Sequence, residues 1–311
     1  MNFSIIIPIF NEEENILKLN SEISEVIKEN QSDNFQLIYV DDCSKDQSFD
    51  ELKKLKNNFK TKIIRHRINL SQSDAIRTGI NFATYENFIF LDGDLQNDPK
   101  DINVMLQEFK KGYDMIIGVR KNREDNFFSK KFPSYIANYI VRKFTNSKAK
   151  DHGCSLKVLK KKVYDVSSTL GDFHRLLAAE AYNHGFKIKE IDVNHRKRLH
   201  GKSNYGFGRI FKVTLDIIYL GFSKNYNRRR LYFFGQFGLI SFLISFLVFL
   251  WMLYIKYVEG RSFILTPLPT LASTFFLMSL NFILIGILAQ ILDTNKEKKD
   301  NKNFVENEID L

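Results

Sequence analysis

Phe88-Ile89-Phe90-Leu91-Asp92-Gly93-Asp94-Leu95-Gln96 is the stretch that decides the fold. Its aromatic and β-branched run reads as a buried strand. The run ends on two carboxylates, so charge sits at the strand's C-terminal tip. In open parallel sheets, ligands bind at that edge. Two carboxylates one residue apart can share one hard cation, and such a cation can carry a diphosphate. The competing reading is a strand that ends in a polar turn, because Asp-Gly is ordinary turn chemistry.

Outward from this strand the pattern alternates. Residues 3–10 (Phe-Ser-Ile-Ile-Ile-Pro-Ile-Phe) read as a buried strand. Residues 12–29 read as an amphipathic helix with Ile16, Leu19, Ile23 and Val26 on one face. Asn11 is its expected N-cap, and Glu12, Glu13 and Glu14 favour the first turn through the helix dipole. A second strand from Phe35 to Val40 ends in Asp41-Asp42. The helix after it carries Phe49, Leu52, Leu55 and Phe59 on one side. Strand 62–66, helix 72–83, strand 88–92, helix 100–111 and strand 114–119 continue the series. The alternation predicts a mostly parallel sheet in a Rossmann-like α/β sandwich. No Gly-x-Gly-x-x-Gly follows the first strand and no Walker loop is present, so phosphates must be held another way. A metal at the Asp-x-Asp is the candidate, and all-oxygen ligands suit Mg²⁺ or Mn²⁺.

Farther along, residues 133–145 and 173–184 read as helices and 186–194 as a strand. Residues 206–222 mix apolar and basic positions and read as an interfacial amphipathic helix, with a buried globular helix as the alternative. Leu231 to Ile255 holds 25 residues without a charge, and Ser262 to Leu292 holds 31 more, interrupted by Pro267 and Pro269. A span needs roughly 20 apolar residues. Two transmembrane helices are therefore expected, near 232–255 and 270–292. Arg228-Arg229-Arg230 precede the first, and Lys296, Lys298 and Lys299 follow the second. The connection between them holds only Lys256, Glu259 and Arg261. This distribution places both chain ends in the cytoplasm. The apolar run at 3–10 contains Pro8 and ends in three glutamates, which is not a secretory leader. The expected division is a cytoplasmic α/β domain over 1–205, a juxtamembrane segment over 206–230, two spans over 231–293, and a polar, disordered tail over 294–311.

The net charge of +10 is uneven: residues 1–119 carry −6, residues 120–230 carry +17 and residues 231–311 carry −1. A basic block just before the membrane suits anionic lipid head groups or phosphorylated substrates. Nucleic acid fits poorly, given a membrane anchor and few exposed-looking aromatics in that block. Cys43 and Cys154 read as free thiols on a cytoplasmic chain, and no C-x-x-C or His-x-x-x-His pattern supports zinc.

The motifs resemble those of a family. Ile5-Ile6-Ile7-Pro8-Ile9-Phe10-Asn11-Glu12-Glu13 resembles the first-strand motif of family 2 glycosyltransferases, which have the GT-A fold. Tyr39-Val40-Asp41-Asp42-Cys43-Ser44-Lys45-Asp46 looks like their Val-Asp-Asp-Gly-Ser-x-Asp motif, with Cys43 in place of Gly. Leu91-Asp92-Gly93-Asp94-Leu95-Gln96 matches the form typical of the polyprenyl-phosphate branch, whose lipids are dolichyl or undecaprenyl phosphate. Gly118-Val119-Arg120-Lys121-Asn122-Arg123 and Asp151-His152-Gly153-Cys154-Ser155-Leu156-Lys157 resemble two further segments of that branch. So do His174-Arg175 and the run from His195 to Tyr205, which includes Arg198, Lys202 and Ser203. Departures are Cys43, Ser155-Leu156 for Gly-Phe, Asn204 for Lys, and the end of the second span. They bear chiefly on the acceptor side.

The resemblance implies that Pro8, Phe10 and Glu12 contact the nucleoside, although Glu12 also suits a first-turn dipole partner. Gly93 and Gln96 belong to the donor site by the same resemblance, as do His174, Arg175, His195 and Ser203; His174 would be equally ordinary in a core. Asp41 or Asp42 can accept a hydrogen bond from a uracil or guanine ring, and the other can cap a helix. Asp94 is the expected metal ligand, and Asp92 either shares the metal or touches the ribose. Arg120, Arg123, Arg198 and Lys202 are candidates to neutralise phosphates. Asp151 is expected at the reacting centre with Asp94. It would act as a base for a hydroxyl acceptor, or orient a phosphate acceptor that is already ionised. The activity implied is inverting transfer of a sugar from a nucleotide diphosphate sugar to a polyprenyl phosphate. UDP-sugars are favoured over GDP-mannose, and the enzyme is expected to be a homo-oligomer in the cell membrane. A processive polysaccharide synthase is disfavoured, because the only tryptophan, Trp251, lies in a span. A non-catalytic anchor that binds nucleotide sugar is the other alternative; the intact Asp92, Asp94 and Asp151 speak against it.

Overall fold

The structure is a computed structural model and describes residues 1–121, 149, 151, 153–166, 173–197, 230–264, 266–294 and 305–310. The expected helices 133–145 and 206–222 lie outside these residues. The chain divides into two compact units, one α/β and one a pair of long helices.

In the α/β unit, β1 (Asn2–Ile9), β2 (Asn34–Asp41), β3 (Lys60–His66) and β4 (Asn87–Phe90) run parallel. β5 (Met115–Lys121) and β7 (Ile188–Asn194) are parallel to each other. β6 (Lys157–Lys160) lies between β4 and β5, antiparallel to both. The strand order is β7-β5-β6-β4-β1-β2-β3-β8, with β8 spanning Val305–Asp310. The helices are α1 (Ile16–Glu29), α2 (Ser48–Lys53), α3 (Gln72–Asn81), α4 (Asp101–Phe109), α5 (Lys161–Asp165) and α6 (Phe173–Asn183). The central strands β1, β2 and β4 are buried on both faces, which is why they read as continuous apolar runs. Phe3, Ile5, Ile7 and Ile9 join Leu37, Tyr39 and the apolar sides of α1, α2 and α4 in one core. Ile6, Ile38 and Val40 join Ala75, Ile76 and Leu177 in the other. Each fully buried side chain of this size contributes roughly 1.5–3 kcal/mol.

Three local expectations are corrected. Asn11 is not an N-cap: α1 starts at Ile16 after Asn15, and Asn11 stands in a left-handed conformation at φ 55° within the loop. β6 was not expected, because a four-residue strand opening on a lysine carries little periodic signal. The C-terminal tail is not wholly disordered. Residues Val305–Asp310 form β8, which pairs antiparallel with β3 at the sheet edge. Alternating acidic and apolar residues in Val-Glu-Asn-Glu-Ile-Asp are compatible with an edge strand, where one face meets water.

The helical unit consists of α7 (Arg230–Tyr257) and α8 (Leu268–Thr294), both long and apolar enough to cross a membrane. Ser241, Ser245 and Ser279 are buried, and the Ser245 hydroxyl donates to the carbonyl of Ala272 across the pair at 2.7 Å. Small residues let two helices approach closely where lipid supplies no hydrophobic drive. Leu239, Leu243, Leu247, Leu284 and Leu288 are exposed, as lipid-facing side chains are.

Asp114 binds three strands together at the end of the sheet away from the site. Its carboxylate accepts from Lys160 Nζ at 2.9 Å, Lys162 Nζ at 2.7 Å and Lys187 N at 3.2 Å. Burial works against ionisation, but the Lys162, Lys160 and Lys187 bonds outweigh it and hold the carboxyl at about 2. The stabilisation is therefore complete above the unfolded value near about 3.9 and disappears as pH falls through about 2. Asp114→Asn is expected to lower the thermal midpoint at pH 7 by roughly 2–6 °C. Thermal scans across pH should show the gap to wild type closing between pH 4 and 2.

Candidate active site

The loops after β1 and β2 are clasped by backbone-to-side-chain bonds. Asn11 N donates to Ser44 Oγ at 3.0 Å and Lys45 N to Asn11 Oδ1 at 2.8 Å. Glu12 N donates to Ser48 Oγ at 2.8 Å, Glu13 N to Asp46 Oδ2 at 3.2 Å and Gln47 N to Glu13 Oε2 at 2.7 Å. Pro8 and Phe10 lie half-buried at the end of β1, beside this clasp. Cys43 stands at φ 61°. Glycine adopts that conformation without cost, which gives a physical reason for the usual Gly at this place in the resembling motif.

The two aspartates after β2 have different partners. Asp41 is fully buried; its Oδ1 accepts from Ser44 N at 3.1 Å and its Oδ2 lies 3.3 Å from Arg65 Nε. Burial pushes its carboxyl up. Asp42 Oδ1 meets His66 Nδ1 at 2.7 Å and accepts from Leu70 N at 2.9 Å, while Oδ2 accepts from Asn69 Nδ2 at 3.0 Å. His66 Nε2 continues to Thr78 Oγ1 at 2.9 Å. Neither aspartate caps α2: Gln47 precedes that helix, and Ser48 N is taken by Asp46 Oδ1 at 3.0 Å.

The Asp92–Asp94 loop lies against the tip of β1. A Cβ on Gly93 would stand 2.6 Å from Ile9 Cδ1 and 3.2 Å from the Pro8 carbonyl oxygen, so glycine permits this contact. Leu95 at φ 57° turns the chain, and Gln96 N donates to Asp94 Oδ1 at 3.1 Å. Asp92 Oδ1 accepts from Gln72 Nε2 at 2.6 Å, and the Ser155 side chain favours its ionised form. Burial and then the charge of Asp94 push the Asp92 carboxyl up to about 6. Two close carboxylates that resist joint ionisation are matched to a cation. Among the described residues no group of three or more His, Cys, Asp or Glu side chains gathers. The pair therefore fits an ion that takes one or two carboxylates and completes its shell with phosphates and water, as Mg²⁺ does.

Asp151 is clamped. Arg120 Nε and Nη2 reach its two oxygens at 2.7 Å each, and Gly153 N donates to Oδ1 at 3.0 Å. A Cβ on Gly153 would lie 2.7 Å from Arg120 Nη2, so this glycine makes room for the guanidinium. His174 is buried, with Nδ1 2.7 Å from Ser73 Oγ. His195 forms a bridge with Asn97, and the Gln96 carbonyl accepts from Arg196 N at 2.7 Å. Arg175 lies on α6, and nothing is described of its side chain. Arg123, Arg198, Lys202 and Ser203 lie outside the described residues.

Several site residues escaped the sequence reading. Gln72 and Ser73 look like ordinary polar residues at a helix start. Arg196 pairs with Glu22 at 2.7 Å and Asp98 at 2.8 Å, bracing the loop after β4. Lys157 is 1% exposed, and burial lowers its ammonium to about 8. A lysine inside the apolar run Leu156-Lys157-Val158-Leu159 was the available signal.

Comparison with known proteins bears on the family and the fold. The family model for Glycosyl transferase family 2 matches residues 4–169. The chain is 32% identical over 315 residues to a dodecaprenyl-phosphate galacturonate synthase of Rhizobium johnstonii, covering 99% of this chain and 93% of that one. It is 29% identical over 299 residues to an undecaprenyl-phosphate 4-deoxy-4-formamido-L-arabinose transferase of Shewanella sediminis, covering 93% and 86%. The fold matches a crystal structure of Mycobacterium tuberculosis glucosyl-3-phosphoglycerate synthase in complex with Mn²⁺, UDP and glucosyl-3-phosphoglycerate. That match has a TM-score of 0.55 at 11% identity, over 72% of this chain and 79% of that one. The architecture is GT-A-like, with two apolar C-terminal helices added. The Asp-x-Asp at the edge of a mostly parallel sheet thus sits within a full-length likeness to polyprenyl-phosphate sugar transferases, and the chain belongs to glycosyl transferase family 2.

Proposed function

We propose that the protein transfers a sugar from a nucleotide diphosphate sugar to a polyprenyl phosphate at the cytoplasmic face of the cell membrane, with inversion at the anomeric carbon. The observation that carries this reading is the Asp92–Asp94 pair pressed against the β1 tip, in a chain likened end to end to polyprenyl-phosphate transferases. The likeness to a galacturonate synthase makes a UDP-hexuronate the first donor to test, ahead of other UDP-sugars and GDP-mannose.

Asp94 and Asp92 would hold Mg²⁺ or Mn²⁺, which when bound supplies positive charge to the diphosphate leaving group. Asp41, Asp42 and the clasped loops around Pro8, Phe10 and Glu12 border the nucleoside, with Asp42 held in place by His66, Asn69 and Leu70. Arg120, fixed by Asp151, is read as a phosphate-neutralising group. An acceptor phosphate is already ionised at neutral pH, so attack needs no general base. Asp151 then serves by orienting Arg120, and Asp151→Asn is expected to retain measurable turnover. Anionic lipid would attract the basic block at 120–230, and the helical pair is the proposed site of homo-oligomer contact.

In sequence the helical pair lies between two parts of the α/β unit, since β8, which follows the second helix, belongs to the same sheet. Chain continuity therefore favours both ends of the helical pair on one side of the membrane, the cytoplasmic side by charge.

Two measurements test these readings. Radiolabelled sugar should pass into an organic-extractable lipid in the presence of Mg²⁺, and Asp94→Ala should lower that transfer by about 10²-fold or more. A wild type that moves no label from any common donor would favour the non-catalytic anchor. In intact cells, a membrane-impermeant maleimide should label a cysteine placed at Ser262 but not one placed at Asn301; the reverse pattern would overturn the orientation.

A further inference from the structure

Beneath the Asp-x-Asp loop, a set of bonds and neighbouring residues forms a ring. Asp92 Oδ1 accepts from Gln72 Nε2 at 2.6 Å. The next residue, Ser73, places Oγ 2.7 Å from His174 Nδ1. The His174 carbonyl accepts from Lys157 Nζ at 3.0 Å, and the same ammonium donates to the Cys154 carbonyl. The residue after Cys154, Ser155, favours the ionised form of Asp92 and accepts from Asn97 Nδ2 at 2.6 Å. Ser73, Cys154, Lys157 and His174 are all buried.

Four separate segments meet in this ring: the start of α3, the start of α6, the start of β6 and the loop after β4. Lys157 is its only cation. The carboxylates of Asp151 and Asp92 attract its charge, and Arg120 opposes it. Burying an ammonium costs several kcal/mol unless charge and hydrogen bonds compensate. An apolar side chain would fill this place at lower cost if packing were its only task.

We propose that Lys157 is a positioning residue: through the Cys154 and His174 carbonyls it holds Ser155 and the Gln72–Ser73 turn against Asp92, and so sets how that carboxylate meets the donor's cation and diphosphate. His174 then acts on the site through Ser73 rather than on substrate. The proposal rests on the reading of Asp92 as a donor-site carboxylate.

Calorimetry of Mn²⁺ with UDP, on the detergent-solubilised full chain, tests it apart from turnover. Removing groups that orient a metal-binding carboxylate costs about 10–100-fold in metal affinity. Lys157→Met should weaken Mn²⁺–UDP binding by about tenfold or more and lower kcat, with the KM for polyprenyl phosphate unchanged. Gln72→Leu, which alters the ring from its half-exposed side, should shift both in the same direction. Folded Lys157→Met that binds Mn²⁺–UDP within twofold of wild type overturns the proposal. If Lys157→Met does not fold, Gln72→Leu decides by the same criterion. Wild type that binds neither Mn²⁺–UDP nor Mn²⁺–GDP overturns the donor-site reading and the ring together, an outcome distinct from the first.

Discussion

A parallel sheet covered on both faces leaves polar chemistry only at its edges and ends. β1 and β2 are buried along nearly their whole length, so no charged group can enter between the helical layers without heavy cost. The carboxylates emerge where strands stop: Asp41 and Asp42 at the end of β2, Asp92 and Asp94 after β4. Parallel order brings those stops to one edge, and Gly93 lets the β4 loop close onto the tip of β1. The rest of the site depends on this gathering.

Once gathered, each carboxylate is defined by its partners. Asp42 is saturated by His66, Asn69 and Leu70 and behaves as a fixed acceptor. Asp151 meets Arg120 through both of its carboxylate oxygens. Asp92 is held by a neutral donor, Gln72, and keeps an elevated proton affinity through burial and the charge of Asp94. Carboxylates of one chemical type thus take different roles because burial and bonding differ around them.

Much of the fold was legible in order and periodicity. The strands at 3–10, 35–40, 62–66, 114–119 and 186–194 and the helices from α3 to α4 follow from alternation alone, and the two spans from unbroken apolar length. β6 was not legible, because its four residues are short and begin with Lys157, whose partners come from other segments. β8 was not legible either: an acidic strand at a sheet edge looks like a solvated tail until β3 lies beside it. Asn11 carried the right chemistry for a cap, but its loop is clasped to Ser44 and Lys45 instead. That choice depends on a contact 33 and 34 residues away.

By itself, the sequence determined the α/β alternation, the membrane segments, and a family likeness strong enough to point at Asp92, Asp94 and Asp151. Those signals are local: periodicity, length and motif order lie along one stretch of chain. Only the tertiary structure decided that Asp151 pairs with Arg120, that Asp42 belongs to His66, and that Lys157 closes a ring under Asp92. Hydrogen bonds between side chains from distant segments carry no periodicity, and they become visible only when the sheet brings the segments together.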